Sequence, residues 1–217
     1  IYVTGLIPIV LFPFFNIFDM QDISSSYAHP LVLLFLGGFI IASAMESCGL
    51  HKRIAINILS FSGTSPAMII AGFMIATALI SMWVSNTAST IMMLPIATSV
   101  IAIFSSQKQS KENDLTIPLL LAIAYSASIG GIATLIGTPT NVMLASILSD
   151  NYNYNIGFFD WFKIGFPITL ILLPVVWFFL TNIIFKLSKN KSNALQVTIS
   201  DLKKDIGESS FAEKIVA

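Results

Sequence analysis

Charge is scarce in this chain. Lys and Arg together number 11, Asp and Glu also 11, and charged residues make up 10% of the 217 positions. A soluble domain carries about 25%. This deficit, with a 55% hydrophobic content, excludes an ordinary water-soluble fold and places the chain in the membrane class. The formal net charge is zero, which leaves no basic surface for nucleic acid. Histidine occurs twice and cysteine once. A lone Cys48 excludes an internal disulfide, and no CxxC or Cys/His cluster marks a metal site, so Cys48 reads as a small packing residue. Ser–His pairs, paired aspartates and metal triads suited to an intramembrane enzyme are also missing, and the chain is expected not to be an enzyme. It has no basic flank and small-residue cleavage site of a signal peptide. It starts at Ile1, inside an apolar run, and ends on the charged stretch Lys203–Ala217. The start is expected of a fragment whose beginning is missing, and the charged end of one whose other boundary is artificial too.

What is present is a set of charge-free blocks. Ile1–Phe18, Ile23–Met45 and Ile164–Phe185 each suit one membrane-crossing helix, for which about 20 apolar residues are needed. Ile54–Gln107 is too long for one helix. Its approach, Gly49–Gly63, carries His51, Lys52 and Arg53 ahead of an apolar pattern and reads as an interfacial helix. Pro66 then suits a helix start. Two legs follow, near Pro66–Val84 and Thr87–Phe104, with Ser85-Asn86-Thr87 at the turn between them. Leu115–Ser149 is too long for one span and too short for two. Gly137-Thr138-Pro139 breaks it into a long half near Ile117–Leu135, a loop at Ile136–Thr140 and a short half near Asn141–Leu148.

Basic residues concentrate in the loops Gly49–Ser65 and Ser105–Asp114 and after the last helix, at Lys186, Lys189 and Lys191. The loops Asp19–Pro30 and Asp150–Asp160 carry only acidic charge. The positive-inside rule therefore places the basic loops in the cytoplasm. The segment Pro66–Phe104 must leave and return on one side. A hairpin with its tip inside the membrane does so, and so would two complete spans. Lys163 is expected to snorkel to the outer interface.

Ser85, Asn86 and Thr87 are good capping residues, and a plain helix cap accounts for them. A helix start at membrane depth also presents free N–H groups that can receive a carboxylate. Side-chain oxygens and free carbonyls beside it can ligate a small hard cation such as Na⁺. Ser81, one turn earlier, adds a hydroxyl. Gly130 and Gly131 read as close helix packing, whereas Gly137 and Pro139 read as unwound backbone, tolerated at membrane depth only against protein or a water-filled cavity. Glu46 reads as interfacial rather than as a proton relay. His29 and His51 fall in opposite loops and cannot pair. Trp83, Trp161 and Trp177 suit packing or interface anchoring.

The stretch SMWVSNTASTIMMLPIA (Ser81–Ala97) resembles the hairpin motif of the divalent anion/sodium symporters. SIGGIATLIGTPTN (Ser128–Asn141) resembles their interrupted helix, and FLGGFIIASAMESCGLHKRIAINIL (Phe35–Leu59) the segment before the hairpin. The resemblance runs in order over about Ile1 to Phe185. It implies an all-α polytopic membrane protein, here one half of an inverted repeat with a helical hairpin and a discontinuous helix. It implies a sodium seat at Ser81, Ser85, Asn86 and Gly137, and substrate contacts from Ser85, Asn86, Thr87, Thr138 and Pro139. It further implies a homodimer and sodium-coupled symport of di- or tricarboxylates, such as the C4-dicarboxylate succinate. Sulfate transport, dicarboxylate exchange or a non-transporting membrane subunit are the alternatives. Thr140 stands where the family often has a second proline, which makes the loop less rigid. The second repeat, which would complete the site, is missing, so the fragment alone is expected not to transport. The expected divisions are scaffold and interfacial helices over 1–64, a transport-domain half over 65–149 (hairpin 65–105, broken helix 115–149), a transmembrane helix over 160–186 and a cytoplasmic segment over 187–217. The expected location is the plasma (cell inner) membrane, crossed several times.

Overall fold

The computed structural model describes residues 2–63, 65–106, 115–187 and Glu213. The elements among them are helices: α1 (Tyr2–Phe14), α2 (Met20–Tyr27), α3 (Pro30–Cys48), α4 (Leu50–Phe61), α5 (Pro66–Ser81), α6 (Asn86–Ser106), α7 (Thr116–Ile132), α8 (Pro139–Tyr152) and α9 (Phe158–Phe178), the last continued by a π-helical turn, Phe179–Ile184. Lys108, Lys111, Lys189 and Lys191 lie outside the described residues, as does the segment 188–217 apart from Glu213.

Proline and glycine place the boundaries. Pro30, Pro66 and Pro139 each stand at the start of a helix, where the missing N–H costs nothing. Gly49, at φ 78°, ends α3 in the left-handed conformation and turns the chain into α4. Pro30 also corrects the reading of Ile23–Met45 as one helix and of Asp19–Pro30 as a loop. Part of that loop is α2, and the chain breaks at Ala28–His29 before α3 begins. His29 caps α3, its Nδ1 accepting from the Leu31 N–H at 3.3 Å. His51, read as part of the polar start of the interfacial helix, lies in α4 and is buried, with Nδ1 3.3 Å from the Met45 carbonyl oxygen.

The core lies between α5 and α7. Ile69, Ile70, Phe73, Met74 and Ile80 of α5 are buried against Leu119, Ala122 and Ile123 of α7 and against Met93, Ala97 and Val100 of α6. Helix α9 closes one side, where Trp177 Nε1 donates to the Ala67 carbonyl at 2.8 Å. On α3 and α9, large apolar side chains face outward, including Leu33, Ile40, Ile164 and Ile171. In water each would forgo roughly 1.5–3 kcal/mol of burial; against lipid the cost disappears. By length and composition, two stretches among the described residues suffice to cross a membrane, Met20–Cys48 and Phe158–Ile184. With 16 residues, α5 reaches only about 24 Å, short of a hydrocarbon core of about 30 Å.

Candidate functional site

The turn between α5 and α6 and the break between α7 and α8 come together in the fold. At the first, α5 stops at Ser81 and α6 begins at Asn86. Ser85 caps α6, its Oγ accepting from the Ala88 N–H at 3.3 Å. At the second, α7 ends at Ile132 and α8 begins at Pro139, so the break occupies residues 133–138. This is a correction of the expected loop, Ile136–Thr140. The Ala133 N–H tightens onto the Gly130 carbonyl at 3.0 Å, which ends α7 before the glycine-proline signal is reached.

Gly131 is where the two tips meet. A Cβ there would lie 2.4 Å from Asn86 Oδ1, and a Cβ on Gly137 would lie 2.5 Å from the Gly131 carbonyl oxygen. Asn86 and Gly137 therefore both press against one α7 residue. Ser81 Oγ, fully buried, sits 2.8 Å from Asn86 Oδ1 and 2.7 Å from the Ala127 carbonyl oxygen. A hydroxyl has one proton. With Oδ1 turned inward, three oxygens share that proton, a donor set suited to a small hard cation. Ser85 stands at the α6 cap, next to Asn86 in the chain. Among the described residues no group of three or more His, Cys, Asp or Glu side chains could hold a metal ion.

Thr87 is exposed and lines an open groove of about 340 Å³ with Asn86, Thr90, Ala124, Ala127 and Ser128. Its positive end is the N-terminus of α6. Thr138 Oγ1 lies 3.1 Å from Thr140 Oγ1. Pro139 lines a different groove, between α3 and α8, with His29, Phe35, Val142 and Asp150. The structure thus joins Ser81 to Asn86, sets Asn86 and Gly137 each against Gly131, keeps Ser85 at the α6 cap and places Thr87 on the adjoining groove, but it does not bring Pro139 to that groove.

Several residues that support the break carry no warning in the sequence. Asn141 Nδ2 donates to the carbonyls of Gly131 and Thr134, at 2.8 Å each. Thr134 Oγ1 donates to the Met82 carbonyl, stitching the two tips together. From α9, Thr169 Oγ1 donates to the Ile129 carbonyl at 3.0 Å and Trp161 Nε1 to the Ile132 carbonyl at 2.9 Å. Carbonyls freed where α7 ends are thus satisfied by side chains from elsewhere in the chain, as an apolar interior requires. The only signal was a scatter of Thr, Asn and Trp within apolar blocks. Trp161→Phe keeps an aromatic ring, removes the indole N–H and orphans the Ile132 carbonyl. It is expected to cost about 1–3 kcal/mol, read as a lower thermal unfolding midpoint in detergent.

Two polar helix interruptions, packed tip to tip inside an apolar helical body, define a secondary-transporter type of membrane unit. The family model described as CitMHS, citrate transporter, matches residues 1–212, and the chain belongs to that family. It is accordingly an integral membrane protein. The chain is 37% identical to the sodium-dependent dicarboxylate transporter SdcS of Staphylococcus aureus (strain USA300), over 98% of its own length and 42% of the relative's. It is 36% identical to SdcS of strain NCTC 8325 / PS 47 over the same shares. The chain therefore spans about two-fifths of the length of these curated relatives.

Proposed function

We propose that this chain carries one half of the site of a sodium-coupled symporter for di- or tricarboxylates, with C4-dicarboxylates such as succinate as the first candidates. The observation that carries the reading is the meeting of Asn86 and Gly137 on Gly131, with Ser81 bonded to Asn86. Ser81, Ser85, Asn86 and Gly137 would hold sodium. Ser85, Asn86, Thr87 and Thr138 would face the substrate carboxylate, and Pro139 would act by shaping the break. Sodium supplies the charge that lets an anion approach a site built without lysine or arginine. The N–H groups at the start of α6 add to that attraction. The named activity of the two relatives supports the same chemistry.

In this reading α5 and α6 form a hairpin whose tip stays at membrane depth, because α5 is too short to cross. The segment 65–149 moves as half of a transport domain against the scaffold 1–64, with 160–186 spanning the membrane and 187–217 in the cytoplasm. The full-length protein crosses the plasma membrane several times, pairs as a homodimer and performs no covalent chemistry on its substrate. In proteoliposomes holding the full-length protein, replacing external sodium by choline is expected to reduce succinate uptake to the protein-free background. Uptake that persists without sodium, or that follows a proton gradient instead, would sink the proposal. Sulfate that competes with succinate would extend the substrate class.

A further inference from the structure

We infer that Asn141 is a positioning residue for the cation seat, its amide stapling the broken backbone between α7 and α8 so that Gly131 and Gly137 stay in place. The inference rests on reading the Asn86–Gly131–Gly137 convergence as a cation seat, and it adds a residue that touches neither cation nor substrate.

Asn141 is only 7% exposed. A primary amide has two N–H donors, and Asn141 Nδ2 reaches two carbonyl oxygens, those of Gly131 and Thr134, each at 2.8 Å. Both carbonyls belong to residues at the close of α7, where helical pairing stops. The Thr134 oxygen also receives the Gly137 N–H, at 3.3 Å. One side chain in the first turn of α8 thus grips the last turn of α7 and the loop that carries Gly137. The residue gripped at one end, Gly131, is the one against which Asn86 Oδ1 is packed, and its carbonyl is the atom against which Gly137 is packed. If the staple opens, the Gly131 carbonyl is free to turn, and both tips lose the surface that sets their spacing. Groups that orient metal ligands from outside characteristically change metal affinity by about 10–100-fold when removed. A purely structural amide would instead lower the amount of active protein at every sodium concentration alike.

The two roles separate in the full-length protein reconstituted into proteoliposomes, with succinate uptake measured against sodium concentration. Asn141→Leu keeps the side-chain outline and removes both donors. It is expected to raise the half-saturating sodium concentration about tenfold or more, while the rate at saturating sodium stays within about twofold of the parent. Asn141→Ser keeps one donor on a shorter arm and is expected to give a smaller shift; it carries the test if the leucine variant does not fold. Amide hydrogen exchange over residues 133–138 is expected to be faster in both variants. Asn86→Ala serves as the reference, raising the sodium requirement without speeding exchange at 133–138. If Asn86→Ala leaves the sodium dependence unchanged, the cation seat itself is misplaced. If Asn86→Ala shifts it and the Asn141 variants lower uptake equally at all sodium concentrations, the staple is structural only and the inference is overturned.

Discussion

A single methyl group added at Gly131 is expected to cut uptake at limiting sodium about a hundredfold while leaving the protein folded. The added Cβ would lie 2.4 Å from Asn86 Oδ1 and 3.2 Å from both Asn86 Cγ and Nδ2. A real Cβ essentially never makes a contact as short as the first of these, so something must yield. The obstructing group is the end of a two-torsion side chain rather than backbone, and it can leave by changing rotamer. An off-rotamer side chain costs about 0.5–1.5 kcal/mol, so the fold tolerates the change. The proposed cation seat does not. When Asn86 swings out, Ser81 loses the Oδ1 partner that stands 2.8 Å away, and the cluster of oxygens is reduced to Ser81 and the Ala127 carbonyl. Misplacing a positioned group by about 1 Å can cost about a hundredfold in rate, and uptake of Gly131→Ala at limiting sodium is expected to fall by about that factor. Its thermal midpoint in detergent should stay close to the parent's. Asn86→Ala should match it in uptake, and the double variant should be no worse than either single one, because both changes remove the same group. Parental uptake by Gly131→Ala would show that the position of Asn86 does not matter.

The parts of this fold that were legible in the sequence are those written in local chemistry. Stretches without charge marked the apolar helices. Pro66 and Pro139 marked helix starts because a proline can stand only where an N–H is dispensable. Ser85 marked a cap because its hydroxyl can accept from an orphan N–H. What stayed hidden depends on which helix lies opposite. Gly130 and Gly131 are neighbours in the chain, yet successive helix residues point about 100° apart. One of them meets the backbone of α5 and the other the side chain of Asn86. Nothing local tells them apart, and both read simply as packing glycines. The early end of α7 was hidden for the same reason. Ile132 is as good a helix residue as its predecessors, but Trp161, Asn141 and Thr169 arrive from elsewhere to satisfy the groups that stopping there exposes. Pro139 shows the converse. Its effect on the backbone was plain from the sequence, whereas the direction it faces, toward α3 and His29, was not.

Gly130→Ala, one residue away from the first substitution, is expected to fail in the opposite manner, through the fold. A Cβ at Gly130 would lie 2.4 Å from the Ala78 carbonyl oxygen, 2.6 Å from Ala78 Cα and 2.8 Å from its carbonyl carbon. All three are backbone atoms inside α5, so no rotamer change relieves the contact and the two helices must move apart. Small residues at such crossings let apolar helices approach until their backbones touch, and α5 and α7 are the pair that form the core. Separating them loosens the burial of Ile69, Phe73 and Ile80 against Leu119 and Ile123. It also stretches the bonds that cross the same interface, from Ser81 to the Ala127 carbonyl and from Thr134 to the Met82 carbonyl. Overpacking of this kind costs about 1–3 kcal/mol, occasionally more. The expected readout is a lowered thermal midpoint and a smaller yield of monodisperse protein in detergent. Uptake should fall in proportion to the folded protein recovered, with the half-saturating sodium concentration of the surviving fraction shifted far less than in Gly131→Ala. Equal melting of the parent and Gly130→Ala would mean that α5 and α7 do not cross in backbone contact.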